Sequence, residues 1–337
     1  MALPAHIRDR LTLPAFSAPM FLCSSPELAI ESCKAGIVGS LTMNDCREDA
    51  EFEARLRSVS DALARFADEQ PDARIGPLAV NVAPAIEPAR FAGFMAMGQR
   101  YGASIVVTSV GNPSGVRAVI ADHGFQHYHD VTTIRFAEKA IAAGVDGLIA
   151  IGAGGGGHAG TISHLALIPA LRAMFSGTLV MAGAVSTGAI IRAAEVLGAD
   201  LAYLGTRMIA TREASAPDAY KAMLVSSGAE DVIYTRGVNG LPASWLKASL
   251  RDIGLDPDHL FIPEGRSTAH LPAGAAPWRN IWSAGQGTGL IDDVPSVAEL
   301  VMQLRIEYGA ACAVPDMIEA ATANDAAHET GRKVSHA

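Results

Sequence analysis

The chain has 337 residues, of which half are hydrophobic and 18% are charged, so it can bury a sizeable core and disorder is expected only at its ends. The formal net charge is −9, and no run of Lys or Arg exceeds two residues, which argues against nucleic-acid binding. The cysteines show no C-x-x-C and no metal-ligand spacing, the chain has no signal-peptide pattern, and no apolar run reaches roughly 18 residues. These features predict a cytoplasmic protein that binds no membrane.

Short apolar runs that end in Gly, Ser or Asn alternate along the chain with longer stretches of helical period. The predicted strands are residues 16–20, 37–40, 78–82, 104–109, 125–129, 147–151, 179–182 and 201–204. The predicted helices between them are residues 26–35, 49–70, 88–101, 114–123, 132–143, 163–175 and 187–197. Strands that read as continuous apolar runs are typical of a parallel sheet that is covered on both faces.

Eight strands, each but the last followed directly by a helix, predict an α/β fold of the (β/α)8 TIM-barrel class. The alternative is an open, doubly wound sheet. That layout is disfavoured because no G-x-G-x-x-G motif follows the first strand.

The regular alternation stops after the eighth strand. Residues 208–226 have helical spacing, residues 231–271 are rich in loops, and residues 296–308 form an amphipathic pattern that would supply the eighth helix. We therefore expect a barrel made of residues 1–210 and 286–315. A small insertion or lid domain, residues 211–285, would lie over the barrel mouth, and residues 320–337 would form a flexible tail.

Active sites of such barrels lie at the C-terminal ends of the strands. Gly183 and Gly205 each stand where a strand turns towards a helix, in the loops after strands seven and eight. Backbone N–H groups at helix N-termini in these two loops commonly bind phosphate in this fold. Either glycine alone could serve only a tight turn. Together they predict a phosphate site. The other candidates at strand ends are Met20, Ser40, Asn81, Ser109, Asp130, Ser186 and Thr206.

The loop after the sixth strand, residues 152–160, contains four successive glycines, which are costly to order. We expect them where backbone must approach a flat ligand closely. His158 projects from this loop, and we expect its side chain to be exposed at the mouth with few packing contacts. A histidine there could act as a general base or stabilise an anion, whereas a lone histidine is otherwise a surface or core residue.

These segments resemble the nitronate monooxygenase family over nearly the whole chain, from A-P-M at 18–20 to W-S-A-G-Q-G at 282–287. The G-G-H-x-G motif at 156–160 is the most specific match. The resemblance implies an FMN-dependent barrel with a small second domain, in which His158 serves as the catalytic base. The implied or candidate cofactor-binding residues are Ala18, Met20, Asn81, Asp130, Gly155, Gly156, Gly183, Ser186, Gly205, Thr206 and Gln286.

The chain departs from the family pattern at two places. Many members carry Lys directly after the histidine of strand five, whereas here His129 is followed by Asp130. An anionic side chain there would not stabilise a reduced, anionic flavin, so either Asp130 points elsewhere or the redox tuning differs. Many members also have an acid before the G-G-H motif, but residues 152–155 contain none.

The leading functional hypothesis is FMN-dependent oxidation of alkyl nitronates or nitroalkanes by O2, which gives carbonyl compounds and nitrite without a metal ion. One alternative is an NAD(P)H-dependent flavin reductase of quinones or enoyl thioesters. A second is a flavin-free barrel lyase or isomerase that binds a phosphorylated metabolite, and a third is a binding protein without catalysis. The sequence leaves open whether NAD(P)H is a donor and whether the protein is a homodimer.

Overall fold

The computed structural model describes residues 2–313. The tail at 320–337 and the end of the range 286–315 lie outside the described residues. Eight parallel strands form the sheet: β1 (Ala15–Ser17), β2 (Gly39–Thr42), β3 (Leu78–Asn81), β4 (Ala103–Thr108), β5 (Gln126–Val131), β6 (Gly147–Ile151), β7 (Thr178–Ala182) and β8 (Leu201–Leu204).

The sheet closes on itself, which confirms the predicted TIM barrel. Strand β1 pairs with β8 on one side. On its other side, the amide of Ser17 donates to the carbonyl of Val38, and the amide of Val38 donates to the carbonyl of Ala15, over 2.8 and 3.0 Å. A closed sheet has no free edge and presents all eight strand ends at a single mouth.

The helices follow the strands as the sequence predicts, and their bounds are α1 (Ala5–Arg8), α2 (Pro26–Lys34), α3 (Asp49–Glu69), α4 (Pro88–Arg100), α5 (Arg117–Asp122), α6 (Ile134–Ala142), α7 (His164–Met174), α8 (Gly188–Leu197), α9 (Thr206–Ile209), α10 (Asp218–Ser226), α11 (Lys247–Asp252) and α12 (Val297–Cys312). Several begin at side-chain caps, among them Thr133 and Thr187. Helix α12 starts with a capping box of Ser296 and Glu299 and packs on α8 as the eighth barrel helix. None of the described helices is both long and apolar enough to cross a membrane.

Alternation along the strands decides which side chains face the barrel interior. Ala79, Tyr128 and Leu201 are buried in the interior cluster. Side chains two residues further along a strand point to the same face, so Asn81, Asp130 and Tyr203 point inwards at the mouth. The apolar side chains at the positions in between point outwards and pack against the surrounding helices. The opposite end of the barrel is closed by Leu3, Ile7 and Leu11.

Two predicted elements were wrong. Strand β2 lies two residues later than the predicted 37–40, because Ile37 pairs with no strand, Val38 pairs only with β1, and the pairing with β3 begins at Gly39. The predicted continuous helix at 208–226 is instead α9 and α10 with a non-helical connection between them. Pro217 precedes α10 and disfavours helical backbone at the residue before it, so the helix cannot run through.

The chain between β8 and α12 adds a two-stranded antiparallel sheet of β9 (Val232–Thr235) and β10 (Ala243–Leu246). Trp245 and Ile281 are fully buried in a small apolar cluster beside this hairpin. The amide of Ser244 in β10 donates to the carbonyl of Gly157 over 2.9 Å, which attaches the added segment to the loop after β6. Its existence as a separate lid domain, residues 211–285, stays a prediction.

Candidate active site

The glycine-rich loop, residues 152–160, packs against residues 283–287, which we call the return segment because the chain comes back to the barrel there. The amide of Gln286 donates to the carbonyl of Gly154 over 2.9 Å. A Cβ atom on Gly156 would lie 3.0 Å from a backbone nitrogen of the return segment. Neighbouring protein backbone therefore accounts for the glycine at this position. The sequence had predicted that a flat ligand would approach the loop instead.

His158 extends from this loop towards the added segment. Its ring centroid lies 5.6 Å from that of Trp278, so the side chain is half-buried under an indole and is not exposed as predicted. Its Nε2 atom is buried and has no hydrogen-bond partner among the described residues. Burial, helped by the positive charge of Arg266, lowers the pKa of His158 from its ordinary value of 6.5. The imidazole is therefore neutral at neutral pH and able to accept a proton.

Unengaged backbone amides lie at the ends of β7 and β8. Within residues 2–313, no backbone carbonyl accepts a hydrogen bond from the amides of Gly183, Ala184, Gly205 or Thr206. Gly183 and Ala184 have φ values of 123° and 55°, and Ala184 is one of four described non-glycine residues with positive φ. Successive amides in such a turn can converge on an anion, and strained backbone of this kind is frequent at functional sites.

The sequence predicted that these amides lie at helix N-termini. This holds for Gly205 and Thr206, the N-cap and first residue of α9, but not for Gly183 and Ala184, which lie in the turn before α8. Helix α8 begins only at Gly188, beyond the turn at Gly183, and α9 has four residues. The helix dipole therefore contributes little, and the hydrogen-bonding capacity comes from the amides themselves. A Cβ atom on Gly205 would meet only the Sδ atom of Met20, at 3.9 Å, so the space beside Gly205 is open.

Gly183 is fixed by a close approach between neighbouring loops. A Cβ atom there would lie 3.0 Å from the imidazole of His164 and 3.1 Å from the amide nitrogen of Gly155. His164 begins α7, as predicted, and its Nε2 donates to the carbonyl of Ala182 over 2.8 Å. It thus ties the ends of β6 and β7 together, which is a structural role.

Two further predicted cofactor residues, Ser186 and Thr206, have their hydroxyl groups engaged within the protein. The Ser186 hydroxyl donates to the carbonyl of Gly287 over 2.8 Å, and the Thr206 hydroxyl accepts from the amide of Gly285 over 2.9 Å. Both contacts anchor the return segment. Thr206 keeps its hydroxyl hydrogen for another acceptor, whereas Ser186 has donated its own.

Ala18, Met20 and Gln286 lie around the same mouth. The amide of Ala18 donates to the carbonyl of Leu204, which places it beside the end of β8. Met20 lies next to Gly205, and its amide donates to the hydroxyl of Ser24. The Gln286 side chain is exposed, with Oε1 beside Gly154. The structure therefore brings Ala18 and Met20 beside the end of β8, and Gln286 beside the loop after β6.

Asp130 lies at the end of β5, on the strand face that points into the barrel. Whether its carboxyl lies beside the flavin stays a prediction. Its Oδ2 accepts a hydrogen bond from Ser109 over 2.6 Å, and its Oδ1 is buried without a partner. Burial raises the pKa of Asp130 from 3.8 to about 7, although the Ser109 hydrogen bond lowers it in part. The preceding His129 faces the other side of the strand, where it bonds to Thr108.

Sequence reasoning missed three residues of this site. Thr42 takes the place predicted for Ser40, whose hydroxyl instead donates to the carbonyl of Ser17 within the barrel. Tyr203 lies inside the mouth, with its ring 4.9 Å from that of Phe16. Alternation along β8 could have identified Tyr203, but no local pattern indicated Trp278, because it reaches His158 from far along the chain.

Residues 2–313 contain no group of three or more His, Cys, Asp or Glu side chains arranged to hold a metal ion. The polar groups that face the mouth are instead the imidazole of His158, the strand-end amides and the carboxyl of Asp130. The amides can bind an anion, the imidazole can accept a proton, and the carboxyl group can hold one.

Comparison with known proteins identifies relatives of this chain. The sequence pattern of the family described as nitronate monooxygenase matches residues 11–307. A nitronate monooxygenase of Paraburkholderia phytofirmans is 28% identical over 343 residues, covering 87% of this chain and 92% of that protein. Several other relatives align over 33–55% of their own length.

Solved structures show the same architecture. The nitroalkane oxidase of Streptomyces ansochromogenes superposes with a TM-score of 0.66 and 25% identity, covering 90% of this chain and 98% of that chain. FabK of Thermotoga maritima superposes with a TM-score of 0.67 and 20% identity, covering 92% and 97%. At that identity, FabK supports the fold alone.

Proposed function

Because the chain belongs to the nitronate monooxygenase family of flavin-dependent oxidoreductases, we propose that it binds FMN and oxidises alkyl nitronates with O2. In the net reaction, two nitronate anions and one O2 give two carbonyl compounds and two nitrite ions, which balances atoms and charge. His158 carries this proposal, since its imidazole is neutral at neutral pH and belongs to the glycine-rich loop that follows β6.

The strand-end amides fit the phosphate of FMN. Those of Gly183, Ala184, Gly205 and Thr206 have no backbone acceptor, and the open space beside Gly205 leaves room for phosphate oxygens. Hydrogen bonds to a charged acceptor are stronger than neutral ones, so a few convergent amides suffice to hold a phosphate. FMN bound there would supply the electron transfer between the nitronate and O2.

His158 would act on the substrate in one of two ways. With a neutral nitroalkane, its imidazole would accept the proton from the carbon next to the nitro group and so form the nitronate. With a nitronate already formed, the neutral imidazole would donate its one N–H hydrogen to the anionic oxygens of the nitronate. Trp278 covers the imidazole and keeps water from it, which favours the neutral base.

We expect the purified protein to be yellow, with one non-covalent FMN per chain, and to release nitrite when supplied with a nitronate in air. The flavin would be released by heat and identified by chromatography, and nitrite would be measured against O2 consumed, with two nitrite ions expected per O2. Recovery of no flavin or of FAD only would contradict the cofactor assignment. FMN without nitrite release would contradict the reaction and leave the cofactor in place.

A further inference from the structure

The residue before His158 is held from two sides by the added segment. The amide of Gly157 donates to the hydroxyl of Ser283, in the return segment, over 2.8 Å. The carbonyl of Gly157 accepts from the amide of Ser244, in β10, over 2.9 Å. Gly157 has a φ of 65°, in the left-handed region, and glycine can adopt many other backbone conformations. These two hydrogen bonds therefore select the conformation that presents His158.

The hydroxyl of Ser283 is fully used, and the direction of each of its hydrogen bonds is determined. It donates to the carbonyl of Ser244 over 2.7 Å, since a carbonyl can only accept. It accepts from the amide of Gly157, since an amide can only donate. Ser283 is 7% exposed, so water cannot readily replace its hydroxyl. Ser283→Ala would remove this partner from two backbone groups, the amide of Gly157 and the carbonyl of Ser244.

The residue after His158 is attached to the same hairpin. The phenol of Tyr234, in β9, donates to the carbonyl of Ala159 over 2.9 Å. Tyr234 and Ser244 lie opposite each other in the register of β9 and β10, so one cross-strand pair contacts both neighbours of His158. The backbone that carries the imidazole is therefore fixed by the added segment as well as by the barrel.

We propose that Ser283 is a positioning residue, which holds the imidazole of His158 in place through the amide of Gly157. Tyr234 supports the same placement from the other side, through the carbonyl of Ala159. Both hydroxyl groups are engaged by the protein, so both residues act through His158 and not on the substrate. A shift of about 1 Å in a reacting group can cost on the order of 10²-fold in rate. The catalytic consequence rests on the proposed function, whereas the placement of the imidazole does not.

Steady-state kinetics of the full chain with its flavin test the catalytic consequence. Ser283→Ala should lower kcat/KM on a neutral nitroalkane by about 10–10²-fold and on a pre-formed nitronate by less, because a displaced imidazole loses proton abstraction. Ser249→Ala is the matched control. The buried hydroxyl of Ser249 also donates to a carbonyl, that of Leu246, over 2.8 Å and accepts from an amide, that of Trp282, over 3.0 Å. Its hydrogen bonds do not reach the glycine-rich loop, so its kinetics should match the parent.

A double mutant separates positioning from general destabilisation. In the His158→Asn background, Ser283→Ala should lower kcat/KM by less than about twofold further, because the base that Ser283 positions is absent. An equal loss in both backgrounds would overturn the proposal. So would a Ser283→Ala variant that keeps the parent's ratio of activities on the two substrates. If Ser283→Ala does not fold, Tyr234→Phe allows the same comparisons, because it removes one hydroxyl from a side chain that is 43% exposed.

NMR titration of the histidine side chains in the purified full chain tests the placement without turnover. The signal of His158 is identified by its loss in His158→Asn. Burial lowers the pKa of His158, so an imidazole released from its place should titrate closer to 6.5 in Ser283→Ala but not in Ser249→Ala. Both variants keep Arg266, whose charge also lowers this pKa.

A pKa of His158 that Ser283→Ala leaves unchanged would overturn the proposal. The titration needs neither substrate nor bound flavin. A raised pKa in Ser283→Ala, in a protein whose parent converts no nitroalkane, would therefore contradict the proposed function and leave the positioning role of Ser283 standing.

Discussion

Replacing His158 by Asn is expected to lower kcat/KM on a neutral nitroalkane by about 10²–10⁴-fold, the usual contribution of a general base. The imidazole is neutral because burial lowers its pKa, and its Nε2 has no competing partner. The loss should be smaller on a pre-formed nitronate, which has already given up its proton. Steady-state kinetics of the parent and His158→Asn on both substrates measure the difference.

The contact between His158 and Trp278 requires a control, because the substitution also removes packing. Bound FMN and the melting temperature should be measured for both proteins. Equal losses on the two substrates, together with reduced flavin content, would mean that His158 only fixes the loop. In the parent, activity on the neutral nitroalkane should fall with acidification only below pH 6.5, because protonation removes the base and the pKa is lowered from that value. Loss beginning above pH 6.5 would contradict this assignment.

The second large effect is expected at Gly205. Gly205→Val should weaken FMN binding on the order of 10²-fold, which corresponds to the loss of one or two hydrogen bonds to a charged group. The new side chain would enter the open space beside Met20, where phosphate oxygens would lie. The φ of −102° and ψ of −82° at this position lie outside the helical and extended regions, so the melting temperature of the variant is measured as well, to check that the barrel folds. Titration of the flavin-free protein with FMN measures the affinity.

Gly93→Val provides the matched control. A Cβ atom at Gly93 in α4 also meets nothing within 4 Å, but this helix lies on the outside of the barrel. We expect Gly93→Val to bind FMN as the parent does. If Gly205→Val also binds FMN as tightly as the parent, the phosphate lies elsewhere and the assignment to the ends of β7 and β8 fails.

Local patterns predicted the barrel, because each strand and helix is encoded within its own segment. Apolar runs such as 147–151 and 201–204 are strands in the structure, and caps such as Thr133 and Thr187 begin their helices. The predicted bounds of β2 were two residues too early. Residues 37–38 are apolar because they pack in the core, and they do not pair with β3. Register between strands depends on partners far away in sequence, so a single run cannot determine it.

The sequence predicted those parts of the site that lie within a single loop. The glycine-rich loop, Gly183 and Gly205 stand out in the sequence, and the structure places them at one mouth. The cover of His158 by Trp278 and the deep burial of Asp130 depend on residues distant in the chain, so the sequence could not indicate their effect on either pKa.

Anaerobic mixing of the purified protein with a nitronate tests the central claim most directly, with NADPH mixed separately for comparison. We expect the yellow absorbance of the flavin to be bleached rapidly by the nitronate and to return, with release of nitrite, when O2 is admitted. NADPH should bleach it slowly or not at all. A flavin that the nitronate leaves unchanged and that NADPH bleaches rapidly would contradict the account and make the protein an NAD(P)H-dependent reductase.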